Sequence, residues 1–234
     1  LLQRYFSVPA TLLFYCPFLN KGRGKGKRSF HMANQKFSNQ KGLTVKDLVT
    51  TGIFVALIWV TMLTGGLPFA PNPLLTFYMP LGSALLAGPI FLLLVAKVPK
   101  RGPISIVGIL AGLVLFATGM HWAMDLGYVL GGILGDLIAG TKGYRSVKLN
   151  IVAYICLCLG ATGTYIAFFV NPAAWSSLML NGGTAQGYLD AMNGAAQGWM
   201  LPVILIGTVV VGAFSGFVGS KLLKKQFEKA GITA

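Results

Sequence analysis

Between Leu48 and Leu222 the chain is a succession of apolar runs, each bounded by glycine, proline or charge. Runs of about 20 apolar residues match the hydrocarbon thickness of a bilayer, and such a series reads as a polytopic membrane protein. Composition agrees. Only 10% of the residues are charged and five are acidic, against about 25% charged in a soluble domain. Five acids in 234 residues cannot solvate a water-exposed surface. With a mean hydropathy of +0.71 and 31 glycines, a soluble enzyme, a coiled coil and a disordered or collagen-like chain are excluded.

Six runs stand out, at about 48–66, 74–96, 104–120, 124–140, 149–170 and 200–222. The third and fourth are short and separated only by the polar knot from Gly119 to Asp125. Read as one helix they would reach about 55 Å, well beyond a core of about 30 Å. Two helices are expected there. The fold class is therefore an all-α integral membrane protein with six transmembrane helices over 44–225. A basic extension, 1–43, precedes it and a tail, 226–234, follows. At the start of the first run, Thr44 and Asp47 have the spacing of a capping box.

The net charge of +14 is unevenly placed. Residues 1–46 hold nine Lys/Arg and no acid. The apolar stretch Tyr5–Leu19 is broken by Pro9 and Pro17, and the bases follow it, which reverses the order of a secretory signal. Residues 1–31 read as an upstream segment before a plausible start at Met32. Further on, Lys97, Lys100 and Arg101 follow the second run, and Lys142, Arg145 and Lys148 the fourth. Lys221, Lys224, Lys225 and Lys229 close the sixth. The intervening connections 67–73, 121–123 and 171–199 carry no Lys or Arg. By the positive-inside rule both termini are cytoplasmic, and the bases answer anionic lipid rather than nucleic acid.

Missing motifs narrow the chemistry. Neither Gly24-Lys25 nor Gly26-Lys27 belongs to a phosphate-binding loop, so the chain has no ATP site of its own. Two histidines, His31 and His121, cannot supply a zinc centre. Ser215 has no base on its side of the membrane. Cys156 and Cys158, two apart on a helix, diverge and read as small apolar residues. No metal, cofactor or catalytic residue is expected; the chemistry is recognition and movement.

The uncharged end carries the candidate site. His121, Trp122 and Asp125 lie within five residues at a helix junction, with Tyr128 one turn on. An acid so near the membrane calls for a partner or ligand; a lone Trp there is as readily an interface anchor. The 171–199 connection adds Trp175, Tyr188, Asp190 and Asn193. At 29 residues, with glycine clusters at Gly182–Gly187 and Gly194–Gly198, it is expected to be mobile enough to close over a ligand. Pro68, Pro71, Asn72 and Pro73 form a stiff cap near the same mouth. Aromatics with amides and a carboxylate suit a small neutral heterocycle. Asp136 is expected to pair with Lys142 or Arg145. Gly52 and Ala56, and Gly212, Gly216 and Ser220, are small residues four apart that permit close helix contact.

The run Thr44-Val45-Lys46-Asp47-Leu48 into Gly52-Ile53-Phe54-Val55-Ala56, together with Gly119-Met120-His121-Trp122, resembles the Trep_Strep (MptD-like) family. The resemblance, which covers about 43–225, implies an S component, the substrate-binding subunit of an energy-coupling factor transporter in a bacterial plasma membrane, with an S-component-like six-helix bundle. The resemblance implies capture of a vitamin or precursor, pyridoxine-like or hydroxymethylpyrimidine-like, at the outer side. It also implies docking of a small-residue face of the first helix (here Gly52 and Ala56, with glycine for the family's first alanine) on a transmembrane T subunit. Two cytoplasmic ATPases would then supply the energy. The alternative is a stand-alone proton-coupled secondary carrier, for which Asp125 and Asp136 are the membrane acids. Cysteine labelling tests the orientation: sites in 171–199 should react from outside the cell, and sites beside Lys142 should not. The opposite pattern would invert the assignment of the two faces.

Overall fold

The computed structural model describes residues 42–229, all helix and connecting turns. The upstream segment 1–31 and most of the basic extension lie outside the described residues. The helices are α1 (Val45–Gly66), α2 (Met79–Lys97), α3 (Pro103–Ala117), α4 (Trp122–Gly140), α5 (Val147–Gly160), α6 (Gly163–Val170), α7 (Pro172–Asn181), α8 (Gln186–Ala195) and α9 (Met200–Lys229). Among the described residues four segments are long and apolar enough to cross a membrane: Val45–Phe69, Leu75–Lys97, Trp122–Gly140 and Met200–Lys224. The expected fifth run is α5 and α6, bent by 44° at their junction. The third, α3, has 15 residues and reaches about 22 Å. It is nonetheless separate from α4, as the polar knot indicated.

Local signals set the starts. Thr44 and Asp47 form the expected capping box, with the Thr44 N–H donating to Asp47 Oδ2 at 2.8 Å. The same Oδ2 meets Lys100 Nζ at 2.7 Å, which pins the start of α1 to the α2–α3 connection. Prolines open α2 and α3, where a missing N–H costs nothing.

Around the bundle α1 packs on α2, α2 on α9, α9 on α5, α5 on α4, α4 on α3, and α3 back on α1. Glycine lets these helices approach. Gly127, Gly131 and Gly135 form a small stripe on α4 facing α5; a Cβ at Gly127 would lie 2.6 Å from the Gly160 carbonyl oxygen. The sequence reading passed over this stripe, although its four-residue spacing is the usual signal. On α9, Gly212 and Gly216 face Ile155 and Ile151 of α5, so that small-residue row packs the bundle itself.

The centre of the bundle is a repaired helix break. Pro89 lies inside α2 and cannot donate to the carbonyl of Leu85. Ser215 Oγ of α9 donates to that carbonyl at 2.6 Å, and accepts from Gly88 N–H at 3.2 Å. The neighbouring Ala84 carbonyl accepts from the Tyr154 hydroxyl of α5 at 2.6 Å. Ser215 thus has a structural task, and the Tyr154 ring also packs at a tilt against Phe91, with centroids 5.2 Å apart. Asp136 is tied differently from expectation. Its carboxylate accepts from Gly102 N–H (2.8 Å), Ser105 Oγ (3.1 Å) and the Tyr144 hydroxyl (3.1 Å). The start of α3 supplies two of the donors and the turn before α5 the third, so no ion pair with Lys142 or Arg145 is needed.

Ser215→Ala strands the Leu85 carbonyl, and Tyr154→Phe removes the buried bond to Ala84; each should destabilise the protein by about 1–3 kcal/mol. Denaturant unfolding in detergent measures both. Unchanged stability in the two variants would mean that the break in α2 needs no repair.

Candidate functional site

The structure gathers the described bases at one end. Lys46 lies beside the Asp47–Lys100 bridge, Arg101 nears Gly140, and Arg145 shares a cleft with Lys221 and Lys224. The opposite end holds the α3–α4 turn, the start of α2, α6 to α8 and the start of α9.

At that end His121 is the N-cap of α4, its Nδ1 accepting from Ala123 N–H at 3.1 Å. An accepting Nδ1 leaves the imidazole proton on Nε2, and burial holds the ring below its usual pKa, in the neutral form. Asp125 and Tyr128 follow at helical spacing, so all three share one face of α4. All three are buried, with exposures of 6%, 7% and 5%. Neither oxygen of Asp125 has a hydrogen-bond partner. A carboxylate withdrawn from water without a donor costs several kcal/mol unless something else meets it. This is the chemical peculiarity of the molecule. Trp122 points elsewhere. It is 56% exposed, and its ring tilts over His121 with centroids 5.4 Å apart.

The 171–199 connection is not an open loop. It forms α7 and α8, and Trp175, Met179, Leu189 and Met192 are buried with Phe77, Tyr165, Phe168, Met200 and Ile204. Trp175 meets Phe168 edge-on at 5.1 Å, and its Nε1–H donates to Thr164 Oγ1 at 2.9 Å. Tyr188 donates to the Ala70 carbonyl at 2.8 Å, tying α8 to the proline-rich cap after α1. Asn193 donates to Ser176 Oγ and joins α8 to α7; Asp190 is exposed and accepts from Gln186. The expected site residues therefore separate into groups. His121, Asp125 and Tyr128 form one buried row. Trp175 and Tyr188 hold an aromatic layer together, and Asp190 and Asn193 lie at the surface.

Layer and row adjoin through α6. A Cβ at Gly163 would lie 2.8 Å from the Ala123 carbonyl carbon, and Tyr165 donates to the Thr76 carbonyl at 2.6 Å. The tip of the α3–α4 turn reaches the end of α7, where a Cβ at Gly182 would be 3.7 Å from the Gly119 oxygen. Sequence reasoning missed Phe77, Tyr165 and Phe168, because aromatics inside a continuous apolar run carry no separate signal.

A family model described as a hypothetical bacterial integral membrane protein, Trep_Strep, matches residues 45–229. No curated protein and no solved structure matches the chain.

The packing distinguishes the two tryptophans. Trp175→Ala should cost about 3–5 kcal/mol of stability through the cavity it leaves. Trp122→Ala should cost far less, since half the ring is already outside. Thermal unfolding in detergent separates them, and equal losses would contradict the division between layer and surface.

Proposed function

The chain belongs to the Trep_Strep family of bacterial integral membrane proteins, and from that premise we propose that it is the substrate-binding S component of an energy-coupling factor transporter. In this reading it binds a small heterocyclic vitamin or precursor, pyridoxine-like or hydroxymethylpyrimidine-like, at the outer face. It then delivers it through a T subunit driven by two cytoplasmic ATPases. The observation that carries the proposal is the buried, unpartnered carboxylate of Asp125, at the end without bases and beside a neutral His121. A carboxyl group of this kind suits a ligand that offers N–H or O–H groups from a flat ring. The aromatic layer next to it supplies apolar and ring-edge surface.

Six crossings follow if α3 counts as one. It starts beside the Asp136 carboxylate at the basic end and ends at the His121 turn, packed along α4 throughout. Bent α5–α6 counts as another. Both termini then lie with the bases, on the cytoplasmic side of the plasma membrane. Gly52 and Ala56 are exposed on α1, and a Cβ at Gly52 would touch nothing within 4 Å. That leaves the face open for the T subunit, which is the contact assigned to it.

A proton-coupled carrier working alone is the second reading. Asp136 is saturated by three donors, so Asp125 would be its membrane acid.

Binding of pyridoxine and hydroxymethylpyrimidine to purified protein tests the proposal. Asp125→Asn should raise the dissociation constant about tenfold or more, since about 1.4 kcal/mol is a factor of ten. Gly52→Trp should leave binding intact and weaken recovery of the T subunit. Loss of both by Gly52→Trp would mean that this face holds the bundle together. Partner-free uptake in proteoliposomes, driven by a pH gradient and abolished by Asp125→Asn, would establish the carrier instead.

A further inference from the structure

Both oxygens of the Asp125 carboxyl are unmatched, not one. Asn150, the other buried side chain among the described residues with an unpartnered atom, is at least held through its amide nitrogen by the Tyr144 carbonyl. Asp125 is held on neither side. The stretches 47–96, 102–141 and 149–220 carry no Lys or Arg, so the helices around it bring no cation to this end. Asp190, the other acid there, is exposed and accepts from Gln186. Asp125 itself stands in the first turn of α4, whose positive end favours negative charge. One turn outward, His121 has Nδ1 committed to the Ala123 N–H, which leaves its Nε2–H as a donor. Tyr128 follows one turn inward. A flat group meeting the carboxyl edge-on would have an aromatic ring on either side of it along the helix.

We propose, resting on the substrate-binding reading of the chain, that its ligand pairs with Asp125 through an amidine edge: a ring nitrogen with an exocyclic amine beside it, as in an aminopyrimidine. Two unmatched oxygens on one planar group call for two parallel hydrogen bonds. An amidine edge supplies them whichever partner carries the proton. With a carboxylate, the protonated ring nitrogen and the amine both donate. With a carboxylic acid, the acid donates to the ring nitrogen and the amine donates to the other oxygen. The two arrangements hold the same atoms and the same total charge, and differ only in the place of one proton along one hydrogen bond.

Other edges match the group less well. A lone hydroxyl or ring N–H meets one oxygen and leaves the other buried without a partner. A lactam edge, with N–H beside C=O, fits the acid but sets its carbonyl against a carboxylate. A primary ammonium leaves a third N–H over, and the neighbouring Nε2–H of His121 is itself a donor. An anionic group would meet the acid with like charge and find no Lys or Arg to offset it.

The test is binding of three compounds to the purified full chain in detergent. Hydroxymethylpyrimidine has the amidine edge; its deaminated analogue carries a ring lactam in that place; pyridoxine has hydroxyls and a ring nitrogen but no amine. Hydroxymethylpyrimidine should bind about tenfold or more tighter than either of the others. Asp125→Leu should abolish its binding. Asp125→Asn should bring it within about twofold of the deaminated analogue, because an amide presents one N–H and one C=O to either edge. Replacing an unmatched acid takes no hydrogen bond from the fold, and thermal unfolding checks that both variants are intact. Equal binding of the two pyrimidines by the parent chain, tighter binding of pyridoxine, or a preference that survives in Asp125→Asn would overturn the amidine pairing and leave the substrate-binding reading standing. If none of the three binds, the pairing is wrong, and the substrate-binding reading falls with it only when the chain also recovers no T subunit from native membranes.

Discussion

In a bilayer, a broken helix must find its hydrogen bonds within the protein, because no water reaches the freed carbonyls. Pro89 imposes that requirement on α2. Ser215 of α9 meets it at the Leu85 carbonyl and Tyr154 of α5 bonds the Ala84 carbonyl beside it, so the packing of α2, α5 and α9 is specified by polar contacts and not by greasy surface alone. Lipid tails are as apolar as leucine, and apolar area gives helices little reason to prefer one another there. Hydroxyls that reach stranded carbonyls, and glycines that let backbones approach, supply the preference. The glycine stripe of α4 does the second job against α5, and Gly219 of α9 does it against Pro89 itself.

Most of the helical layout was legible because it follows from local chemistry. Apolar length marked the runs, the Gly119–Asp125 knot separated α3 from α4, and Thr44 with Asp47 announced the start of α1. The one-sided bases also read correctly as one end of the bundle. The failure came at 171–199. Glycine clusters suggested mobility, yet Trp175 and Met179 are four apart and Leu189 and Met192 three apart, which is the spacing of helix faces seeking a core. Each short helix is marginal alone, and tertiary packing against Phe168 and Phe77 settles it. That packing is non-local, and a single sequence does not display it.

The same limit governed the site. A list of polar and aromatic residues in one connection cannot say which are already satisfied. Trp175, Tyr188, Asp190 and Asn193 all looked available, and each has a partner within the protein. Trp199 is likewise occupied, by Gln197. Hydrogen-bond satisfaction sorts such candidates, because a donor or acceptor already matched has little left to offer a ligand.

The two acids of α4 make this distinction on a single helix. Asp125 and Asp136 stand at opposite ends of it, and both were candidates for a proton or a partner. Asp136 accepts from the Gly102 N–H and two hydroxyls, so the fold itself supplies its hydrogen-bond donors. It fastens α3 to α4. Gly112 of α3 abuts the main-chain oxygen of Asp125, and the Asp125 side chain meets no donor. Had this acid been needed only for packing, an apolar residue of the same size would serve better, since burying an unmatched charge works against folding. One acid of this helix is met by three donors and the other by none, and that contrast is the physical ground for the ligand role proposed for Asp125.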